Sequence, residues 1–328
     1  MVATTIQLAL GTAQWGGDYG INNTSGPPEP SAAQEMLRLA LRTGITTIDT
    51  ARGYGDSEAL IGASLQAVGC GDSFRVVTKL HPDVTGPDTT AASALANTGR
   101  SLSESRHALR RDKLDVVMLH RQQHLHAHDG RLWRRLRRQR ELGLIGALGV
   151  SSANPSEAWA ALEHPEIEII QVAASLLDQR LARRGFFEAA QEAGKQIYLR
   201  SIFLQGLAFI QPRQLPDHLR DFTEPLLEIR GCSTALECSV LDLFVAYAAT
   251  LPGCTVVVGC ETVSQLRGII AASEISGPSP ESLCRLANRI VPMPARLLDP
   301  AQWREQKTVP SVQPVAAAGG AEMHAPDG

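Results

Sequence analysis

The sequence predicts a (β/α)8 barrel, an α/β fold in which eight parallel strands close on themselves inside a ring of helices. Three observations carry this expectation. Short apolar or β-branched runs alternate with helical stretches eight times in about 270 residues, the count and length of such a barrel. The first strand is followed by GTAQWGG rather than the G-x-G-x-x-G turn of an open doubly wound sheet. Polar residues suited to chemistry recur just where strands end, which is where barrels of this kind carry their sites. With 328 residues and 44% hydrophobic content, the chain can bury one large core. A single barrel domain is expected over residues 1–305. Residues 306–328, which include PSVQPVAAAGGAEMHAPDG, are small, polar and proline-bearing and read as a disordered tail.

Taken in order, Ile6 to Leu10 reads as the first strand, and Ser31 to Arg42 as its helix, with Ser31 as cap and Gly44 closing it. Ile45 to Ile48 is the second strand, ending in Asp49, and Ser57 to Val68 follows as a helix. Phe74 to Thr78 is the third, ending at Lys79, with a helix over Thr90 to Arg110. Leu114 to Leu119 is the fourth, ending at His120, with a helix over Leu132 to Leu142. Leu144 to Val150 and Ser156 to Glu163 make the fifth pair, after Pro155 in a first-turn position. Ile167 to Val172 and Leu181 to Ala193 make the sixth. Gln196 to Leu199 is the seventh strand, and its helix, Ala235 to Thr250, comes only after a long connection. Thr255 to Val258 and Val263 to Ala272 make the eighth. The connection from Ile202 to Thr234 far exceeds an ordinary βα loop, so a lid or specificity element is expected there.

Charge and composition narrow the function. A net charge of −3 argues against nucleic acid or an anionic membrane as the main partner. The arginine-rich RLWRRLRRQR carries Leu132, Trp133 and Leu136 at helical spacing and reads as a solvated helix face. No basic n-region precedes an apolar run at the N-terminus, and no stretch approaches the roughly 20 apolar residues of a membrane span. The six cysteines show neither C-x-x-C nor zinc-type spacing, so reduced thiols in a cytoplasmic protein are expected. His124, His126 and His128 alternate in a short loop without a carboxylate or cysteine spaced to complete a metal site; no metal is expected.

The chemistry gathers in ITTIDTARGYGDSEALIG. Asp49 ends a buried strand, and Tyr54 follows in the loop before a helix capped at Asp56 or Ser57. A phenol works as a general acid near neutral pH only beside a cation. Lys79 ends the next strand and His120 the one after. Adjacent parallel strands lie about 4.8 Å apart, so these four side chains can converge.

GITTIDTARGYGDSEALIG, VVTKL, DVVMLHR and LGLIGALGVS together resemble the aldo-keto reductase superfamily, over Leu10 to about Ala272. The resemblance implies a barrel that reduces a small-molecule aldehyde, ketone or sugar carbonyl, or runs the reverse, with NADP as cofactor and NAD as the alternative. It implies Tyr54 as general acid, Lys79 as the cation that activates it, Asp49 as the partner of Lys79, and His120 as a donor that orients the substrate. It places Gly11, Thr12, Asp49, Ser151, Ser152, Gln171, Arg200, Ser201, Gly206, Gly259, Thr262 and Gln265 at the cofactor. Two positions depart from the family pattern. Ser152 stands where an asparagine is usual, and Arg200 where an aromatic stacks on the nicotinamide; a guanidinium can also stack on a planar ring. In the loop after the eighth strand Glu261 would repel a 2′-phosphate, while Thr262, Ser264, Arg267 and a helix N-terminus would favour it. Trp15, just past the first strand, is expected with Tyr54 and His120 in the substrate pocket. The other class of function is a nucleotide-binding regulatory or interaction protein that keeps the barrel with little turnover.

Overall fold

The chain folds as eight parallel strands in sequential order, β1 (Gln7–Gly11), β2 (Thr47–Asp49), β3 (Arg75–Lys79), β4 (Leu114–Leu119), β5 (Ile145–Ser151), β6 (Ile169–Ala173), β7 (Gln196–Arg200) and β8 (Cys254–Gly259), which close into a barrel. Closure is made by the first strand against the last: Gln7 pairs with Thr255 and Gly11 with Gly259. The computed structural model describes residues 6–23, 25–274 and 277–306. The tail expected from residue 306 lies, past Gln306, outside the described residues.

Strand periodicity explains how the barrel is filled. Side chains alternate between faces, so one phase of each strand points inward and the other meets the helices. Ala9, Val77, Val116, Met118, Ile169, Tyr198 and Val257 form a separate buried cluster, the lumen plug. Leu8, Leu10, Ile48, Val76, Val117, Leu148, Ile170, Leu199 and Val256 belong to the larger cluster between strands and helices. Burying each large aliphatic chain contributes about 1.5–3 kcal/mol. Two residues beyond the plug, in the same inward phase, come Gly11, Lys79, His120, Gln171, Arg200 and Gly259. The plug is thus the apolar floor beneath a polar rim.

Around the barrel lie α1 (Pro30–Arg42), α2 (Ser57–Val68), α3 (Ala91–Leu109), α4 (Ala127–Glu141), α5 (Pro155–Glu163), α6 (Phe186–Glu192), α7 (Thr223–Ala235), α8 (Val240–Ala249), α9 (Val263–Glu274) and α10 (Pro280–Arg289). Several ends are chemically fixed. Thr90 accepts from Ser93 N to cap α3, Asn154 from Glu157 N to cap α5, and Ser239 and Asp242 form a capping box on α8. Helix α1 starts one residue earlier than expected, on Pro30, with Glu29 rather than Ser31 at its cap.

Some expected elements divide. His128, Asp129 and Gly130 adopt left-handed φ, so the regular part of α4 begins near Arg131, as the sequence suggested. Gly185, at φ 69°, splits the expected sixth helix into a 3-10 turn at Ala182–Arg184 and α6. The long connection after β7 is not an open loop: it holds 3-10 turns and then α7, whose Leu226, Ile229 and Cys232 are buried. Helix α10, beyond the eighth βα pair, packs on α7 and α8. Along α4 the arginines meet acids, Arg137 with Glu166, Arg138 with Glu141 and Arg140 with Glu168. Among the described residues no single helix is long and apolar enough to cross a membrane.

Candidate active site

At the C-terminal rim, β2 and β3 bring Asp49 and Lys79 together. Lys79 Nζ donates to Asp49 Oδ1 and Oδ2 at 2.9 and 2.8 Å and to Thr50 O at 2.8 Å. The ammonium has no solvent-accessible side-chain surface. Burial works against its charge, but the Asp49 carboxylate and Tyr54 outweigh it, so the Lys79 pKa lies above the usual value. The third neighbour is Tyr54 Oη, 3.5 Å from Nζ, with the ammonium 5.0 Å from the ring centroid. Asp49 is held in turn by Gln171 Nε2 at 2.9 Å, and Ser151 Oγ donates to Gln171 Oε1 at 3.4 Å. A buried chain of hydrogen bonds from β5 through β6 to β2 therefore sets where the lysine stands.

His120, two residues past the plug residue Met118, meets Tyr54 edge-on with ring centroids 5.6 Å apart. Burial, and then the charges of Lys79 and Arg200, push its pKa down to about 3, so the imidazole is neutral at physiological pH. Its Nδ1 is buried with no hydrogen-bond partner among the described residues. A phenol touched by a buried ammonium, beside a neutral imidazole, can hydrogen-bond an oxygen atom and give it a proton.

The loop carrying Tyr54 is fixed by groups the sequence motif alone did not reveal. Glu58, fully buried at the start of α2, accepts from Arg52 Nη1 and from Thr78 Oγ1, each at 2.6 Å. Asp56, not Ser57, is the N-cap of α2, and Ser57 Oγ lies 2.9 Å from both Thr12 O and Thr12 Oγ1 and 3.0 Å from Thr50 Oγ1. A Cβ on Gly16 would stand 1.5 Å from Tyr54 O, and one on Gly55 2.1 Å from Gly16 O, so two glycines cross backbone to backbone.

A cavity of about 550 Å3 opens beside Tyr54, between the ends of β7, β8, β1 and β2. Of the residues expected at a cofactor, Gly11, Thr12, Asp49, Arg200, Ser201, Gly206, Gly259 and Gln265 line it. Ser151, Ser152 and Gln171 do not; they are buried behind the wall, with Ser152 Oγ donating to Gln122 Oε1 at 2.7 Å. Thr262 is exposed, where its Oγ1 accepts from Gln265 N. Trp15, expected in the substrate pocket, does not line the cavity. It is 1% exposed in the main core, its Nε1 donating to Cys260 O at 3.3 Å. The 3-10 turn Ala13–Trp15 carries the indole into the core beside Cys260. The aromatic that does line the cavity is Tyr19, with Asn22, Phe203 and Phe209. Its only sequence signal is a tyrosine in the glycine-rich GGDYG past a strand end. Burial, followed by the nearby Tyr54, raises the Tyr19 pKa, so this second phenol stays protonated.

A family model described as the Aldo/keto reductase family matches residues 7–286. The chain belongs to that family. Solved aldo-keto reductase structures share the fold at low identity. A Pseudomonas aeruginosa protein assigned as an aldo-keto reductase is 24% identical, with TM-score 0.60, over 81% of this chain and 88% of its own. A thermostable aldo-keto reductase in complex with the inhibitor epalrestat is 21% identical, with TM-score 0.62, over 86% and 94%. An aldo/keto reductase from Klebsiella pneumoniae, in complex with NADP and acetate, is 19% identical, with TM-score 0.62, over 88% and 92%. No curated protein sequence matches the chain. In this member of the family the two residues noted in the sequence as departures from the expected pattern, Arg200 and Ser152, touch each other: Arg200 Nη2 donates to Ser152 O at 3.1 Å.

Proposed function

We propose that the protein is an NADP-dependent reductase of an aldehyde, ketone or sugar carbonyl, with NAD as the alternative cofactor. Family membership supports an oxidoreductase on small carbonyl compounds. The single observation that carries the finer reading is the contact of buried Lys79 with both Asp49 and Tyr54, which line a cavity of about 550 Å3.

The residues fit a nicotinamide dinucleotide. Gly11 and Gly259 pair across the β1–β8 seam and line the cavity, and a Cβ on Gly259 would strike the Gln14 side chain at 2.1 Å, so the glycine makes room for that amide at the cavity wall. At the start of α9 the amides of Glu261 and Thr262 converge on Gln265 Oε1 at 2.7 and 3.1 Å, an acceptor that a phosphate oxygen could replace. Arg267 is drawn toward Glu35 at 3.4 Å, which leaves the preference for a 2′-phosphate resting on amides and hydroxyls. When bound, the reduced nicotinamide supplies the hydride. The chain's own residues do the rest. Tyr54 hydrogen-bonds the carbonyl oxygen and gives it a proton, Lys79 stabilises the phenolate left behind, and Asp49 with Gln171 keeps Lys79 charged and in place. Neutral His120 donates to the same oxygen and orients it. All six cysteines are free thiols, which supports a cytoplasmic setting.

The test is Tyr54→Phe. Cofactor consumption with a panel of aldoses and aromatic aldehydes should fall by roughly 10²–10⁴, while NADPH binding, followed by fluorescence beside NADH, persists. Wild-type turnover in this variant would remove Tyr54 from the mechanism. Binding without turnover in the wild type would favour the regulatory reading.

A further inference from the structure

Arg200 is the inward-facing residue at the end of β7, two positions past the plug residue Tyr198, and it lines the cavity beside Tyr54. Its guanidinium is tethered at both ends, Nη2 to Ser152 O at 3.1 Å and Nη1 to Ser201 Oγ at 3.2 Å. Both acceptors are neutral, so the hydrogen bonds fix the cation without cancelling it. Its field reaches both flanking groups, depressing His120 and working against the raised pKa of Tyr19. The other cation of the site, Lys79, is already matched by Asp49. His120 and Tyr19 are neutral. Among the described residues that line the cavity, the charged groups near Tyr54 are Asp49 and Arg200, with Lys79 paired behind Asp49, so this end carries a net positive charge; Glu261, the other acid of the lining, stands apart at the start of α9.

On the reading that this is a nicotinamide-dependent reductase, the transferring ring must lie within reach of the carbonyl that Tyr54 protonates, and so beside Arg200. That ring is uncharged when reduced and cationic when oxidised. We propose that Arg200 is a specificity-determining residue for redox state, making the protein bind the reduced cofactor in preference to the oxidised one. An aromatic at this position would face both forms without a charge; a fixed guanidinium repels only the oxidised form. At the effective dielectric of a partly exposed site, one such repulsion across several ångströms is worth roughly ten- to a hundredfold in affinity. The oxidised cofactor is then expelled quickly after turnover and inhibits weakly. The same repulsion opposes hydride donation on the enzyme, because charge develops on the ring during transfer; a tenfold bias corresponds to about 30 mV in the bound two-electron couple.

The experiment is a pair of titrations, NADPH by fluorescence and NADP+ by displacement, on wild type, Arg200→Gln and Arg200→Lys. The wild type should bind NADPH more tightly, and Arg200→Gln should cut the ratio of dissociation constants about tenfold. Arg200→Lys keeps the charge and should keep most of the ratio, even where both affinities fall. A ratio unchanged in Arg200→Gln overturns the proposal and leaves Arg200 a packing residue. One measurement needs no variant: a tetrahydronicotinamide analogue of NADPH, uncharged but unable to give hydride, should bind wild type like NADPH. Binding like NADP+ overturns the proposal. If neither redox form binds wild type, the reductase reading itself fails; if both bind with equal affinity, only the role of Arg200 fails.

Discussion

The backbone amide of Ile21 donates to the carbonyl of Gln205 at 3.0 Å, joining the loop after β1 to the loop after β7. Beside this bond the loops touch again, where a Cβ on Gly206 would lie 3.0 Å from Cβ of Asn22. The β7 loop is wound tightly there, with left-handed φ at Leu204, Gln205 and Gly206. Both loops line the cavity, so the junction spans it as a clasp. Gly206→Ala should strain the backbone at φ 87° by about 1–2 kcal/mol and press the loops apart. Cofactor release, measured by stopped flow, should quicken about tenfold. Protease cutting between residues 202 and 214 should slow when cofactor is added; equal cutting with and without it would count against a closing role.

Lys79→Met should do more than stop turnover. It leaves Asp49 buried with only Gln171 for a hydrogen-bonding partner in its side-chain network, and an uncompensated buried charge costs about 3–5 kcal/mol. Thermal unfolding should fall on the order of 5–10 °C. Adding Asp49→Asn should restore most of the stability and none of the activity. Recovery of activity in the double variant would show that the pair is structural only.

Glu58 never reaches the cavity, yet it ties Arg52, in the Tyr54 loop, to Thr78, the residue before Lys79. Glu58→Gln keeps the shape and the Thr78 bond but weakens the ion pair. The loop should loosen, lowering kcat about tenfold or more by misplacing Tyr54, with the NADPH dissociation constant unchanged. Equal loss in kcat and cofactor affinity would point to general unfolding instead.

His124, in the 3-10 turn after β4, is 2% exposed and neither ring nitrogen finds a partner among the described residues. Burial, and then the Arg121 charge, press its pKa down to about 4. A histidine with a folded pKa below the unfolded value near 6.5 costs nothing above that pH and progressively destabilises as pH falls toward 4, by about 1.4 kcal/mol per pH unit. His120 acts in the same sense, down to about 3. His124→Leu should therefore raise stability at pH 7 by about 1 kcal/mol through removing an unsatisfied polar ring, and by more at pH 5. Parallel stability curves for wild type and variant between pH 7 and 4.5 would show that His124 does not titrate there.

Much of this site was legible because strand phase is a strict rule. Lys79 and His120 end runs whose alternate residues fill the lumen, and Asp49 stands two past buried Thr47, so their direction follows from counting by two. Loop side chains obey no such rule. Trp15 and Tyr19 lie four residues apart in one glycine-rich loop, and the 3-10 turn decides that the first is core and the second lines the cavity. Helix α7 was hidden because Pro225 and Gly231 interrupt a weak apolar stripe, although proline is tolerated in a first turn. Helix α10 was not expected, because it lies beyond the eight βα pairs, although Ser279 caps it and Pro280 stands in its first turn. Gln171 was expected at the cofactor; its bond to Asp49, behind the cavity wall, depends on a side-chain rotamer that sequence does not encode.

The cavity straddles the seam where β1 meets β8, and this sets when it can come into being. Gln7 and Thr255 are paired neighbours, yet a ribosome working at 5–20 residues per second delivers the second roughly 12–50 s after the first. Until then one wall of the cavity has not been synthesised. A ligand of this cavity therefore cannot template the nascent chain; it can stabilise only the finished ring, and a transcript cut short before Cys254 yields a product that lacks one wall of the cavity.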